Sequence, residues 1–291
     1  MSDYLECKIC LFKTDSQQVT KHKIRSNVRK FRDQEFTVWR CPNCQSLHCQ
    51  EMVDLDEFYV DYLMAKQKSD NFTRRIHQKR LSDLIKVGLK PTDKILDYGC
   101  SKGLFISFLQ AKGYVNVFGY DAYVEEYADT SILNEKYDLI ICQDVIEHFE
   151  DPRSCFTQLV NCLSEKGILV LGTPNATEIN LDKAEYFLPQ LHQPYHRHIF
   201  SEQALINMAA SYQLKPIKLY RRWVNDTLYP FLNSRCTWTY ARYLENDIDV
   251  FFEPIQKQVF LKHPQILFYA FFGYLFPPLA NITLVLKVEA T

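Results

Sequence analysis

Ten residues, Lys94-Ile-Leu-Asp-Tyr-Gly-Cys-Ser-Lys-Gly103, constrain the fold more than any other stretch of the chain. Ile95 and Leu96 belong to a short buried strand, and Asp97 and Gly99 stand where such a strand stops. After Gly103, the apolar residues Leu104, Phe105, Phe108 and Leu109 recur at helical spacing, and Gly113 follows as a C-cap. The reading is strand, glycine-bearing turn, helix. Such a turn lets a ligand approach the backbone closely, and the helix start offers free N–H groups. A turn of this kind also occurs where a helix and a strand simply pack tightly, so the later strands of the chain decide its meaning.

Asn116–Asp121 reads as a second strand ending in an acid. It lies about 20 residues after the first turn, the distance at which dinucleotide folds place a ribose-binding carboxylate. Tyr137–Cys142 is a buried strand running into Gln143-Asp-Val-Ile-Glu-His148, and Gly167–Gly172 another running into Thr173-Pro-Asn175. In this order the four motifs resemble the class I S-adenosylmethionine-dependent methyltransferases, over residues 70–223 plus the last ten. Ser101 stands where that family usually carries glycine. The resemblance implies a Rossmann-like α/β sheet of seven strands, the last antiparallel. It implies S-adenosyl-L-methionine as cofactor, held by Asp97, Gly99, Ser101, Gly103, Asp121, Gln143 and Asp144.

The chain has 291 residues, enough for one sizeable core plus an appendage. Its net charge of −1 gives no global field toward nucleic acid, which weighs against a nucleic-acid partner. No N-terminal apolar run resembles a signal peptide, and Ile266–Phe276 is too short to span a bilayer, which needs ~20 residues. Ten cysteines in such a context favour thiols or metal over disulfides, and the expected location is cytoplasmic.

Residues 1–51 read as a separate module. Cys7-Lys-Ile-Cys10 and Cys41-Pro-Asn-Cys44 are two C-x-x-C knuckles, joined by a strand at Glu35–Arg40. Two such pairs supply the four thiolates that structural zinc takes at the corners of a tetrahedron. Four buried thiols or a redox pair are the plainer alternatives. The basic residues between the knuckles (Lys21, Lys23, Arg25, Arg29, Lys30, Arg32) read as a phosphate-holding surface or, more simply, a solvated loop.

Residues 52–90 read as two helices, which the resemblance implies cover the cofactor. Arg74, Arg75, Lys79 and Arg80 face water in this reading, and Tyr59 and Tyr62 are within reach of the site. The core then spans 91–223 and 281–291. One insert, Thr173–Ile199, follows the fifth strand. The other, 224–280, precedes the last strand and is rich in aromatics. Both leave from the carboxyl edge of the sheet, where open α/β folds bind ligands, so they are expected to build the acceptor pocket. Phe268, Phe271, Phe272 and Leu275 follow at i, i+3, i+4, i+7. Residues 264–280 accordingly read as packing, as a lid, as a membrane-surface contact or as a homo-oligomer contact.

Methyl transfer from a sulfonium needs alignment, and an oxygen or carbon acceptor also needs a base. His148, beside Glu147, is the candidate base; His196 and His198 return toward the pocket from the first insert, and Arg197 is a candidate anion holder. The two knuckles followed by this core resemble zinc-containing methyltransferases of deoxysugar and polysaccharide biosynthesis. That resemblance implies a sugar, nucleotide sugar or other small hydrophobic precursor as acceptor, although no further large α/β domain follows here. Asp144, Glu147, His148 and His198 also resemble the metal-ligand set of small-RNA terminal 2′-O-methyltransferases, with Asp144 where that set has glutamate. A cofactor-binding subunit without catalysis is the third reading.

Overall fold

The structure is a computed structural model that describes residues 4–59, 69–277 and 280–289. The N-terminal module opens with a small antiparallel pair, β1 (Tyr4–Glu6) and β2 (Lys13–Asp15). A meander comes next: β3 (Lys21–Arg25), β4 (Glu35–Arg40) and β5 (Leu47–Cys49). Helix α1 (Leu55–Tyr59) succeeds it; Tyr62 and the rest of the first expected helix lie outside the described residues. Helix α2 (Asn71–Lys86) starts on Asp70, whose carboxylate accepts from the Thr73 N–H.

The alternation that makes the core runs through β6 (Ile95–Tyr98), α3 (Leu104–Ala111), β7 (Val117–Tyr120) and β8 (Tyr137–Gln143). It continues through α4 (Pro152–Cys162) and β9 (Leu163–Pro174). As its sequence predicts, α4 begins with Asp151 as N-cap and proline at its first position. Then come α5 (Leu188–Leu191), β10 (His198–Ile199), α6 (Glu202–Ser211) and β11 (Leu214–Tyr220). The second insert carries α7 (Ser234–Arg242), α8 (Lys257–Lys262) and α9 (Gln265–Phe272), and β12 (Asn281–Val288) closes the fold.

The central sheet has the order β11-β12-β9-β8-β6-β7, with β12 antiparallel to both neighbours and β6, β7, β8 and β9 parallel. This is the Rossmann-like α/β methyltransferase architecture, with six strands in the sheet among the described residues where seven were expected. The missing strand belongs beyond β7. The segment between Asp121 and Tyr137 is too short for a helix and a strand, and folds as two short 3-10 turns, Glu125–Tyr127 and Thr130–Asn134.

Side chains alternate across each strand, so the sheet has two apolar faces. Leu96, Tyr98, Ile140, Leu169 and Leu284 pack under α4 and α6 against Phe156, Leu159 and Leu205. Ile95, Leu139, Ile141, Val170 and Val285 pack under α2 and α3 against Leu81, Phe105 and Leu109. Asp97 shares the parity of Ile95 and is therefore delivered to the α2/α3 face.

The module does not stand apart. Strand β5 pairs with β10, so the order β10-β5-β4-β3 joins the module to the first insert in one sheet. Cys7, Ile9, Trp39 and Cys41 share a core with Leu96 and Tyr98. The basic segment binds this assembly together. Arg25 pairs with Glu185 at 2.9 Å; Arg29 with Asp247 at 2.6 Å and Glu253 at 2.5 Å; Arg32 with Asp247 at 3.1 Å and also with Glu245. Three arginines expected on a loop thus clasp the module to the acidic turns of the inserts.

Candidate active site

The glycine-bearing turn has the strained backbone that a close approach requires. Gly99 has φ +79°, and a Cβ there would lie 2.3 Å from Val145 Cγ2. Gly103, the N-cap of α3, has φ +67°, and a Cβ would lie 2.0 Å from the Tyr127 hydroxyl. Ser101 between them is also left-handed, at φ 49°. This is where the resembled family carries glycine, and the backbone shows why: only glycine adopts that conformation without a steric cost. The Ser101 N–H donates to Asp121 Oδ2 at 2.8 Å, and the Tyr123 N–H to Oδ1 at 3.0 Å. Asp121, one residue beyond β7, is thereby fixed against the turn at the end of β6.

Arg80 lies on this side of the sheet, half-buried, its guanidinium 4.1 Å from the Phe105 ring centroid. Expected to face water, it instead offers positive charge to Asp97 and Asp144. Burial pushes both carboxyls above the ordinary aspartate range and the Arg80 charge opposes that shift. Asp144 has a left-handed backbone, φ 56°, and accepts from Gln143 Nε2 at 3.0 Å and Trp223 Nε1 at 3.3 Å. Trp223, the last residue of the core before the second insert, brings an indole N–H to this carboxylate.

Beyond β8 the chain turns sharply and places Glu147 and His148 beside His196 of the first insert. One carboxylate oxygen and one nitrogen from each ring lie within 4.8 Å of one another. Glu147 is fully buried, and neither carboxylate oxygen accepts a hydrogen bond of good geometry, although the Thr173 hydroxyl and its own backbone N–H lie near enough to favour its charged form. His196 Nδ1–H donates to the Gln190 carbonyl at 2.7 Å, so its Nε2 lone pair is free, 4.0 Å from Glu147 Oε1. His148 Nδ1 meets the Tyr59 hydroxyl at 2.7 Å, and the two imidazoles stand edge to face at 4.8 Å. Tyr59 stacks on Tyr123 at 4.1 Å. His192 backs the group, its Nδ1 2.7 Å from Asn27 Oδ1, an atom contributed by the N-terminal module.

Burial dominates the electrostatics. It holds the Glu147 carboxyl well above its ordinary range, helped by the Asp144 charge. It holds His148 and His192 well below the imidazole range, and pushes His196 down to about 4. The imidazoles are therefore neutral at physiological pH, the form that accepts a proton or ligates a metal.

The remaining expected residues are placed elsewhere. His198 is not in this group: its Nδ1 lies 2.9 Å from His48 Nδ1, and its Nε2–H donates to the Glu150 carbonyl at 3.0 Å. Arg197 is buried, bound to Glu150 Oε1 at 2.6 Å and to the Glu51 carbonyl. Both are engaged in the protein's own structure. Cys7, Cys10, Cys41 and Cys44 gather within 4.8 Å, with Sγ···Sγ distances of 3.6 Å for Cys7–Cys44 and 3.7 Å for Cys10–Cys41. A tetrahedron of thiolates at Zn–S ~2.3 Å has edges of about 3.8 Å, so the spacing fits. All ten cysteines are free.

The family model of the Methyltransferase domain matches residues 68–219. The chain belongs to the methyltransferase-domain family. Among curated proteins, it is 27% identical over 194 residues to a ubiquinone biosynthesis O-methyltransferase of Rickettsia bellii, covering 58% of this chain and 68% of that protein. It is 29% identical over 227 residues to the protein of the same name from Rickettsia typhi, covering 67% and 79%. A solved S-adenosylmethionine-dependent methyltransferase from Archaeoglobus fulgidus aligns with TM-score 0.44 at 15% identity, over 74% of this chain and 94% of that one. The expected enzyme class, S-adenosylmethionine-dependent methyl transfer, stands.

Proposed function

We propose that this methyltransferase moves the methyl group of S-adenosylmethionine onto a hydroxyl oxygen of a small acceptor. The observation that carries the reading is Glu147: a fully buried carboxyl without a well-formed hydrogen bond, beside two neutral imidazoles just beyond the carboxyl end of β8. The cofactor supplies an already activated methyl group. What remains for the protein is to align the acceptor and take its proton. In this reading Asp121 accepts from the ribose hydroxyls, and Gly99, Ser101 and Gly103 leave room for the donor at the backbone. Asp97, Gln143 and Asp144 line the same crevice, with Arg80 balancing the two aspartates.

His148 receives the acceptor proton at Nε2. That requires its Nδ1–H to donate to the Tyr59 oxygen, which fixes the tautomer and ring plane. His196 stays neutral, which limits its repulsion of the imidazolium formed on His148. The acceptor is hydroxylated and flat or apolar, because Tyr59, Tyr123, Tyr195 and Trp223 stand around the group. Support for an oxygen acceptor also comes from the relatives named for O-methylation in ubiquinone biosynthesis. The sugar precursor expected from sequence keeps one support, the cysteine module ahead of the core. The cysteines are proposed to hold one structural zinc.

A second reading uses the same residues. A divalent cation on Glu147, His148 and His196 would satisfy the poorly hydrogen-bonded carboxylate, and neutral imidazoles are the ligating form. It would supply a Lewis acid that lowers the acceptor hydroxyl's pKa. The test is methyl transfer from labelled S-adenosylmethionine to a panel of phenolic acceptors and nucleotide sugars, before and after chelation. Transfer to oxygen in at least one phenolic member is expected. Methyl found only on carbon or nitrogen would overturn the reading, and activity restored by one added divalent ion after chelation would favour the cation over the base.

A further inference from the structure

The second insert presents a surface that the proposed chemistry does not use. Helix α9 has one inner face, Ile266, Ala270 and Gly273, buried against α7. Its outer face is equally apolar: Phe268, Phe271, Phe272 and Leu275 are 49%, 59%, 49% and 75% exposed. A water-facing helix side ordinarily carries charge, and a helix apolar all round belongs in a core or against an apolar phase. The patch extends onto the neighbouring turn, where Phe231 packs on Phe271 at 6.0 Å and Leu228 is 74% exposed. Contiguous exposed apolar surface of this kind marks an interaction site.

The charge around it selects the occupant. Residues 254–280 contain Lys257 and Lys262 and no aspartate or glutamate, and both lysines sit on the exposed α8 just before the patch. Arg75 of α2 lies over the ring of Tyr229, 4.6 Å from its centroid, adding a third cation beside Leu228. A second copy of the same face would bring lysines together without counter-charge. An anionic lipid surface supplies that counter-charge together with an apolar phase for the phenylalanines. Among the described residues no helix is long and apolar enough to cross a membrane, so contact would be at the surface.

We propose that the α8–α9 face docks this enzyme on an anionic lipid bilayer, burying the outer phenylalanines of α9 at the headgroup boundary while Lys257, Lys262 and Arg75 meet lipid phosphates. The insert that docks also carries Trp238, 5.5 Å from Trp223, which precedes the insert and touches Asp144.

The experiment is vesicle flotation of the full chain, which needs no turnover and so stands or falls apart from the proposed reaction. With phosphatidylcholine vesicles containing about 30% phosphatidylglycerol, most of the protein should float. With phosphatidylcholine alone, or at high salt, the bound fraction should fall several-fold. Phe271→Ser with Leu275→Ser should abolish flotation, and Lys257→Glu with Lys262→Glu should reduce it at least fivefold, each with a thermal melt like the parent's. Should the phenylalanine variant fail to fold, Leu275→Ser alone, at a position three-quarters exposed, reads the same contact. Absence of flotation at any composition overturns the proposal. So does a dimer by light scattering that the same substitutions split, which would give the face to a second copy.

Discussion

Among the described residues the chain gathers metal-competent side chains twice, and the two clusters differ in kind. Cys7, Cys10, Cys41 and Cys44 are four like ligands from two local turns, closed on one another. Glu147, His148 and His196 are a mixed set, one carboxylate and two imidazoles from two distant loops, with the carboxylate oxygens lacking a well-formed hydrogen bond. Closed four-ligand sets hold structure, whereas three ligands with an open position do chemistry. The cysteine cluster is built into the fold, since Cys7 and Cys41 share a core with the central sheet. The histidine cluster instead keeps a carboxylate buried without a well-formed hydrogen bond, at a cost that folding alone does not reward.

The largest effect should come from the closed cluster. Cys7→Ser with Cys41→Ser should remove about one zinc per chain and, with it, the cooperative melt of the whole protein. Structural zinc contributes on the order of 10 kcal/mol to the folding of small modules. Elemental analysis beside a thermal melt checks this. A parent free of zinc, with the variant melting at the same temperature, would reduce the cluster to four buried thiols.

The open cluster should answer in rate while stability holds. His148→Ala should lower the turnover number by ~10²–10⁴ while S-adenosylmethionine affinity and the melt stay near those of the parent. Unchanged turnover would move the proton-accepting role to His196. A loss fully recovered by higher cation concentration would instead make His148 a ligand.

The two clusters differ as well in how far sequence alone reveals them. The cysteine pairs are legible because each C-x-x-C turn is local and a run of β-favouring residues, Phe36 to Trp39, marks the strand β4 between them. Glu147 and His148 are adjacent in sequence and follow a recognisable strand, so their place is legible too. Their partner is not. Pro194-Tyr-His-Arg-His198 offers two histidines two residues apart, and only the register of β10 against β5 decides between them. That register pairs His198 with His48 and leaves His196, just before the strand, to face Glu147. Arg80 escapes for a similar reason. Arg80 stands four residues from both Ile76 and Leu84, so helical spacing puts it beside the buried stripe; the charged run of Arg74, Arg75 and Lys79 makes it read as solvent-facing, and the carboxylates that receive it, Asp97 by sheet parity and Asp144 from the left-handed turn after β8, come from elsewhere in the chain. The six-strand sheet is half legible: the shortness of the segment after Asp121 is visible, but the strand it omits is not.

A smaller effect should appear in cofactor binding. Asp121→Ala removes a carboxylate that also orders the Ser101 turn. Charged hydrogen bonds of this kind contribute about 1.5–3 kcal/mol, so affinity for S-adenosylmethionine and its demethylated product should fall ~10–100-fold. Calorimetry with parent-like affinity in the variant would take Asp121 out of the site.

The smallest expected effect is a flat pH profile, and it sharpens the contrast most. An ordinary imidazole is about three-quarters protonated at pH 6 and would already have lost most of its power as a base. Burial and the neighbouring His196 and His192 hold His148 well below its ordinary range. Its base form should therefore persist, and turnover measured from pH 8 to pH 6 should change by less than about twofold. Stability carries the same signature in the opposite sense. His196 lies near 4 in the folded protein against 6.5 when exposed, so between those values the unfolded chain binds more protons and stability falls as pH drops. Glu147, raised above its ordinary 4.5, works the other way: its contribution is full below that value and is lost as pH rises through the raised one. His196→Gln should therefore flatten the loss of stability between pH 6.5 and 4, and Glu147→Gln should flatten its decline above 4.5. An acid limb in turnover centred near pH 6.5 would instead mean that His148 is open to water and that the cluster is not the buried, neutral group on which the proposed proton transfer depends.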